Sequence, residues 1–186
     1  MLAVFRLLRQ FWRDDRASQL VEFAISLPLL VVMMVGIFDF SGAYNLKQKL
    51  SDVAGSTARL GADQPTADLS STTTPASVQA LHEYAAQYLT RAGLSDCGIG
   101  AAAATSAGPL SWSYSGTGCA GATATLKIER AFVYKTSDNM WMAATRVTFS
   151  YPYAWRFATI IKLVAPGATY AGIATLKTEA IAPNQT

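Results

Sequence analysis

The sequence is poor in the residues that most often carry metal and nucleophilic chemistry. It has one histidine, His82, and two cysteines, Cys97 and Cys119. A zinc site needs clustered ligands, and these three residues are dispersed, so we predict neither a metal nor another cofactor. A Ser-His-Asp triad would have to use His82, which falls in an ordinary amphipathic helical pattern on the solvated side. We therefore predict that the protein is not an enzyme.

Charged residues are also scarce. They make up 15% of the chain, the formal net charge is +3, and 51% of the residues are hydrophobic. Outside the N-terminus there is no cluster of Lys and Arg that would indicate a nucleic-acid surface, so no nucleic-acid partner is predicted. The apolar excess instead indicates contact with lipid.

One long apolar run accounts for that excess. From Leu20 to Phe38, the only polar members are Glu22 and Ser26. At about 1.5 Å per residue the run covers about 28 Å, close to the roughly 30 Å hydrocarbon core of a bilayer. Four arginines precede the run and only two aspartates oppose them: Arg6, Arg9, Arg13 and Arg16 against Asp14 and Asp15. The positive-inside rule therefore places the N-terminus in the cytoplasm and the rest of the chain across the membrane.

Helical periodicity divides the chain into three parts. Residues 1–17 form a basic cytoplasmic leader, and a transmembrane and projecting helix covers residues 18–61, with Gly61 and Pro65 as stop signals. Residues 62–186 form an extracytoplasmic head. In the head, a second helix is predicted over 76–92 with Gly93 as its C-cap.

The last third of the chain changes to a period of two. Segments 125–134 and 140–151 alternate apolar and polar residues and predict a hairpin, and 169–181 predicts a third strand. Residues 93–123, rich in Gly, Ala and Ser, are predicted to be irregular. The fold class is therefore α+β, with one helix packed on a three- or four-stranded antiparallel sheet. The apolar stretch "AWRFATIIKLVAP", 154–166, is either a short helix that closes the core or a docking patch.

The two cysteines allow a single intramolecular pairing. In an oxidising compartment, a disulfide between Cys97 and Cys119 would stabilise the fold by about 3 kcal/mol in the chain-entropy model. The alternative is two separate buried thiols.

The stretch "ASQLVEFAISLPLLVVMMVGIFDFSGAY", residues 17–44, resembles the TadE-like pseudopilins, minor components of the bacterial tight-adherence (Tad/Flp) pilus system. The specific part is 16–62, and "VTFSYPY", 147–153, also looks like the closing strands of that family. The resemblance implies a pilin-like fold and a structural role in the assembly of a Tad/Flp-type pilus or secretion filament. The implied partners are the major pilin, a sibling TadF-like pseudopilin, the prepilin peptidase, the Tad inner-membrane platform proteins and the lipid bilayer. The implied location is the bacterial inner membrane, with the head in the periplasm or in the extracellular pilus.

The resemblance also implies processing by the prepilin peptidase, with a glutamate as the fifth residue of the mature chain. Counting back from Glu22 places the cleaved bond between Ala17 and Ser18, with Phe23 following the glutamate. Ala17 stands where family members more often have glycine.

Three interpretations of Glu22 remain open. It pairs with the α-ammonium of a neighbouring subunit and sets the register of docking, it stays hydrated near the headgroups, or it has a proton-relay or catalytic role. Pro28 either permits a kink in the helix used for assembly or is a tolerated membrane proline.

Two other classes of protein remain as alternatives. The "SGAY" pattern at 41–44 would allow release of a chain beginning at Tyr44, as in a signal-anchored or secreted periplasmic binding protein unrelated to pili. A membrane-anchored enzyme is the third class. A carbohydrate or peptide surface could be built from aromatic residues, although core packing explains most of them better. These are Trp112, Tyr114, Trp141, Tyr151, Tyr153 and Trp155.

Overall fold

The computed structural model describes residues 15–71, 73–119, 122–157, 162, 167 and 173–185. The chain divides into two compact units, one formed by 1–42 with 155–172 and the other, here called the sheet unit, by 43–154 with 173–186. Most of the predicted leader lies outside the described residues. So do most of the apolar stretch 154–166 and the first residues of the strand predicted over 169–181.

A single helix, α1 (Asp15–Asp63), accounts for the N-terminal third of the chain. It confirms the helix predicted over 18–61 and continues through Pro28. Its C-terminal part buries Leu50, Val53 and Ala54, which recur at helical spacing and so form one apolar face. This face is the contribution of α1 to the core of the sheet unit.

The second helix, α2 (Ala76–Arg91), is defined at both ends. Asp68, in a short 3-10 helix (Ala67–Ser70), accepts hydrogen bonds from the Ser77 backbone N–H at 2.8 Å and from the Ser77 hydroxyl at 3.1 Å. At the C-terminus, Gly93 adopts φ +73° and the Leu94 N–H reaches the carbonyl of Leu89 at 2.9 Å. This is a Schellman motif, and it confirms Gly93 as the residue that ends the helix.

Five antiparallel strands form the sheet, in the order in which they occur in the chain. They are β1 (Thr105–Gly108), β2 (Ser111–Cys119), β3 (Ala122–Lys135), β4 (Trp141–Ala154) and β5 (Ile173–Pro183). The α+β fold is confirmed, but the prediction of three or four strands was too low. The strands β1 and β2 lie where irregular structure was predicted. The prediction failed because glycine, which is depleted in strands, occurs in both of them at Gly108, Gly116 and Gly118.

The core lies between the helices and one face of the sheet. In the β3–β4 pair, Leu126 lies opposite Phe149 and Ile128 opposite Val147, and all four are fully buried. Residues of α1 and α2 complete the same cluster. The opposite face of this pair is polar, because Glu129 lies opposite Arg146 with their side chains only partly covered.

The disulfide predicted between Cys97 and Cys119 is present and joins the turn after α2 to the end of β2, with a Cα–Cα distance of 4.9 Å. The Gly118 N–H donates to the Cys97 carbonyl at 2.7 Å beside it. Gly116 allows this close approach, since a Cβ there would lie 2.6 Å from the backbone nitrogen of Ile99. The turn and the strand are thus held together by a covalent bond and by direct backbone packing.

Candidate assembly site on the N-terminal helix

The predicted processing and assembly residues all fall in the first part of α1. Ala17 and Ser18 lie near its beginning, and Glu22 and Phe23 follow one turn later with exposed side chains. The Ser26 hydroxyl donates to the backbone carbonyl of Glu22 at 2.7 Å. Neither of the two ion pairs found among the described residues involves Glu22. Its carboxylate is therefore presented on the surface of the single chain.

Pro28 lies inside the helix, one and a half turns after Glu22. It has no backbone N–H, so the usual hydrogen bond to the carbonyl of Ala24 cannot form. The helix nevertheless continues on both sides of it. A role for Pro28 in assembly stays a prediction.

The apolar side chains around Glu22 have almost no cover within the chain. Exposed members occur on every side of the helix, and among the apolar side chains of the run only Val35 is classed as buried. The exposed ones are Leu20, Val21, Phe23, Ile25, Leu27, Leu29, Leu30, Val31, Met33, Met34, Ile37 and Phe38. A helix that is apolar all round needs lipid or other helices as its surroundings. By length and composition, α1 is the one helix in the described part of the chain that can cross a membrane.

The structural role of Asp39 was not predicted from the sequence. Its side chain is fully buried, and its two carboxylate oxygens accept the backbone N–H groups of Arg156 at 3.1 Å and Phe157 at 3.3 Å. A signal was available, because a carboxylate directly after an apolar run is costly to leave without a partner. The identity of the partner is a long-range property that only the fold supplies.

His82 was expected on the solvated side of α2, and this expectation is wrong. The side chain is buried, its Nε2 lies 2.7 Å from the carbonyl oxygen of Ile99, and its ring stacks on Tyr114 at 3.8 Å between centroids. Burial raises the pKa of Tyr114 to about 12. A cavity of about 290 Å³ adjoins this stack, lined also by Gln79 and Glu83. The arrangement gives His82 a packing role.

The other aromatic residues divide between core and surface. Tyr114, Tyr151 and Tyr153 are buried, whereas Trp141 is 69% exposed at the beginning of β4. Trp112 and Trp155 are half-buried. Across the described ranges, no three His, Cys, Asp or Glu side chains come together as a metal ion would require. The chemical features that remain prominent are therefore on α1: one exposed carboxylate in an exposed apolar surface.

The geometry defines a class of protein: a helix that can serve as a single-pass membrane anchor, joined in one chain to an α+β sheet unit. In a comparison of sequences, the family model described as TadE-like protein matches one segment of the chain, residues 17–59. This match confirms the resemblance over the segment that carries Glu22 and Pro28. No curated protein and no solved structure matches the chain.

The similarity to the TadE-like family is limited to residues 17–59 of the 186 residues. It covers most of α1 and ends before the head begins. The exposed carboxylate and the exposed apolar surface lie inside the matched segment, so the site and the family point to the same part of the chain.

Proposed function

We propose that this protein is a minor pseudopilin that takes part in the assembly of a Tad/Flp-type pilus or secretion filament. The observation that carries the proposal is Glu22, an exposed carboxylate near the beginning of an exposed apolar helix surface, within the segment that the family model matches. In a filament, this helix surface would be covered by the helices of neighbouring subunits. The protein would contribute structure and would catalyse no reaction.

The proposed topology follows from the charges around the span. The arginine-rich N-terminus would stay in the cytoplasm, and α1 would cross the bacterial inner membrane. The head would lie in the periplasm or in the extracellular pilus. Prepilin peptidase would cut between Ala17 and Ser18, and the new α-ammonium of Ser18 would lie four residues before Glu22. The partners are the major pilin, a TadF-like sibling and the platform proteins.

The energetic argument for Glu22 is the cost of an unpaired carboxylate in the hydrocarbon core. A carboxylate at the centre of a bilayer costs about 2.5 to 3.5 kcal/mol on insertion scales, and this value is an upper bound for Glu22, the third residue of the apolar run. A hydrogen-bonded pair with the α-ammonium of a neighbouring subunit recovers much of this penalty, but only when the two helices are in one register. Glu22 would therefore act as the group that selects the docking register.

The test is the Glu22→Gln variant in cells that carry the pilus apparatus. Breaking a buried hydrogen-bonded charge pair costs about 2 kcal/mol or more, so we expect recovery of the variant with pilus components to fall roughly 30-fold. Insertion into the membrane should be unchanged, because glutamine is less costly in lipid than a carboxylate. Recovery equal to wild type would refute the docking role.

Two control variants separate register from charge. Asp52→Asn removes a carboxylate from an exposed position later on α1 and should not change recovery. The double variant Gln19→Glu with Glu22→Gln keeps a carboxylate but moves it three residues earlier. If it restores assembly, the position of the carboxylate does not matter and the register argument is wrong.

Mass spectrometry of the purified native protein tests the processing step. A chain that begins at Ser18 supports prepilin cleavage. A chain that begins at Tyr44 would mean release from the membrane and would favour a secreted binding protein. An intact Met1 would leave Glu22 without its proposed ammonium partner.

A further inference from the structure

The chain returns to the N-terminal helix directly after β4. That strand ends at Ala154, and the next residues bind α1 through the Asp39 carboxylate, which accepts the backbone N–H groups of Arg156 and Phe157. The Trp155 ring meets the Phe40 ring edge-on, with centroids 5.5 Å apart. Backbone and side chain thus fix the beginning of the β4–β5 connection to residues 39 and 40 of the helix.

This point on α1 has a defined depth if the helix spans a bilayer. Asp39 is the first residue after the apolar run that ends at Phe38. Because that run is about as long as the hydrocarbon core is thick, residues 39 and 40 would lie at the boundary between acyl chains and headgroups. Whatever is bound to Asp39 lies at that boundary as well.

The residues bound there have the chemistry of a membrane interface. Trp155 and Phe157 are half-buried, Phe40 is 61% exposed, and Arg156 is exposed. Trp is enriched at the headgroup level, where its ring contacts acyl chains and its N–H meets water or headgroups. Arg extends its apolar stem along such a surface and places its charge at the phosphates.

The net charge of the β4–β5 connection also favours a membrane interface. Residues 155–172 contain two cations, Arg156 and Lys162, and no Asp or Glu. Both side chains are exposed. A segment with cations, aromatic residues and no acidic residue is attracted to lipid phosphates and is not repelled by them.

We propose that Phe40 and residues 155–157 form a second membrane contact of this protein, located in the headgroup region of the leaflet that faces the head. The ligand is the lipid bilayer surface, and Asp39 is the positioning residue that holds the contact against α1. The proposal rests on the membrane span in the proposed function. It adds that the start of the β4–β5 connection is in contact with lipid and fixes how far α1 enters the membrane.

Depth-dependent quenching of tryptophan fluorescence by brominated lipids tests the proposal on the full chain. The protein has four tryptophans, and Phe replaces Trp12, Trp112 and Trp141 to leave Trp155 as the only reporter. A second chain keeps only Trp141, which is 69% exposed in the sheet unit. A third has all four replaced and carries Leu30→Trp near the middle of the apolar run. Each is placed in phosphatidylcholine vesicles containing some phosphatidylglycerol.

We expect Trp155 to lose most of its emission with bromines near the headgroups and little with bromines near the bilayer centre. The Leu30→Trp chain should show the reverse order, and Trp141, which is exposed, should be quenched by aqueous iodide. If the Leu30→Trp reporter is not quenched by lipid, the membrane span fails and the proposed function fails with it. If that reporter is quenched but Trp155 responds to iodide alone, or to neither quencher, the second contact is wrong while the span stands.

Asp39→Ala, introduced into the Trp155 and Leu30→Trp chains, tests the positioning role. We expect Trp155 to lose most of its quenching by lipid and to become accessible to iodide, with no change for the reporter at position 30. Asp39→Asn keeps one acceptor oxygen and should give an intermediate result. An intact Cys97–Cys119 disulfide on a non-reducing gel confirms that each chain has folded. If quenching of Trp155 is the same in the chain with Asp39 and in the Asp39→Ala and Asp39→Asn chains, Asp39 does not position the contact.

Discussion

Substitution of Gly116 by alanine tests the tightest packing in the sheet unit. A Cβ at this position would lie 2.6 Å from the backbone nitrogen of Ile99 and 2.8 Å from the carbonyl carbon of Gly98. Neither neighbour is the end of a flexible side chain, and the Cys97–Cys119 disulfide holds their turn in place. Overpacking of this kind costs about 1 to 3 kcal/mol, and the rigid backbone places Gly116→Ala at the upper end of that range.

Gly55→Ala is the matched control, because the chemical change is the same and its surroundings are open. Nothing lies within 4 Å of a Cβ at Gly55, which is inside α1. Alanine in a helix is favoured over glycine by up to about 1 kcal/mol. The two variants should therefore differ by about 3 kcal/mol or more in the free energy of unfolding, with opposite signs relative to wild type.

Urea unfolding of the full chain in detergent, followed by circular dichroism of the sheet, measures this difference. With a denaturant slope of about 2 kcal/mol/M, 3 kcal/mol corresponds to about 1.5 M between the two midpoints. Removing the disulfide in both backgrounds, with Cys97→Ser and Cys119→Ser, should reduce the difference because the turn can then move away. A Gly116→Ala midpoint equal to that of wild type, with Gly55→Ala stabilised as expected, would refute the close approach of the turn to β2.

Two further predictions concern buried and partly buried polar groups. Tyr114→Phe should leave the free energy of unfolding unchanged or raise it, since the buried Tyr114 hydroxyl has no hydrogen-bond partner among the described residues. Tyr151→Phe should lower the free energy of unfolding by about 1 kcal/mol, because it removes a hydrogen bond of 2.9 Å to the Ser95 carbonyl. Equal effects of the two substitutions on the urea midpoint would contradict this assignment. The hydrogen bond from Arg146 holds the pKa of Glu129 below its ordinary value of 4.5, so the stability from this group is complete above that pH and is lost as the pH falls through the lowered pKa. We expect the free energy of unfolding to fall less on acidification in Glu129→Gln than in wild type, by less than about 1 kcal/mol because the pair is partly exposed. Identical pH profiles of stability for wild type and the variant would exclude a contribution from the Glu129–Arg146 pair.

The elements predicted best were those whose own residues carry the signal. The long apolar run and its helical continuation predicted α1 to within a few residues, and alternation predicted β3 and β4. In contrast, β1 and β2 have little apolar patterning, and β2 becomes a strand because β3 supplies a partner with a strong pattern. A strand of this kind depends on its neighbour, which a local pattern cannot reveal.

The same limit explains the errors at individual residues. The burial of His82 comes from Tyr114 and Ile99, both in the region predicted to be irregular. The burial of Asp39 comes from residues more than a hundred positions later in the chain. The exposed carboxylate of Glu22, in contrast, could be anticipated, because its contrast with the apolar residues around it is local in sequence. Its role in docking stays a prediction.

The sequential order of the strands has a consequence for a chain that is synthesised from its N-terminus to its C-terminus. Each strand pairs with the one before it, so the sheet can grow in the order in which residues are synthesised, without waiting for a later segment to be inserted. The strand β5 arrives last, and the Gln185 N–H that follows it binds the carbonyl of Ala62 near the end of α1 at 3.1 Å. Until then the long edge of β4 has no partner strand on that side, and such an edge can pair with foreign chains. The interval between synthesis of residue 154 and synthesis of residue 183 is therefore when a newly made chain is most open to aggregation or capture by a chaperone.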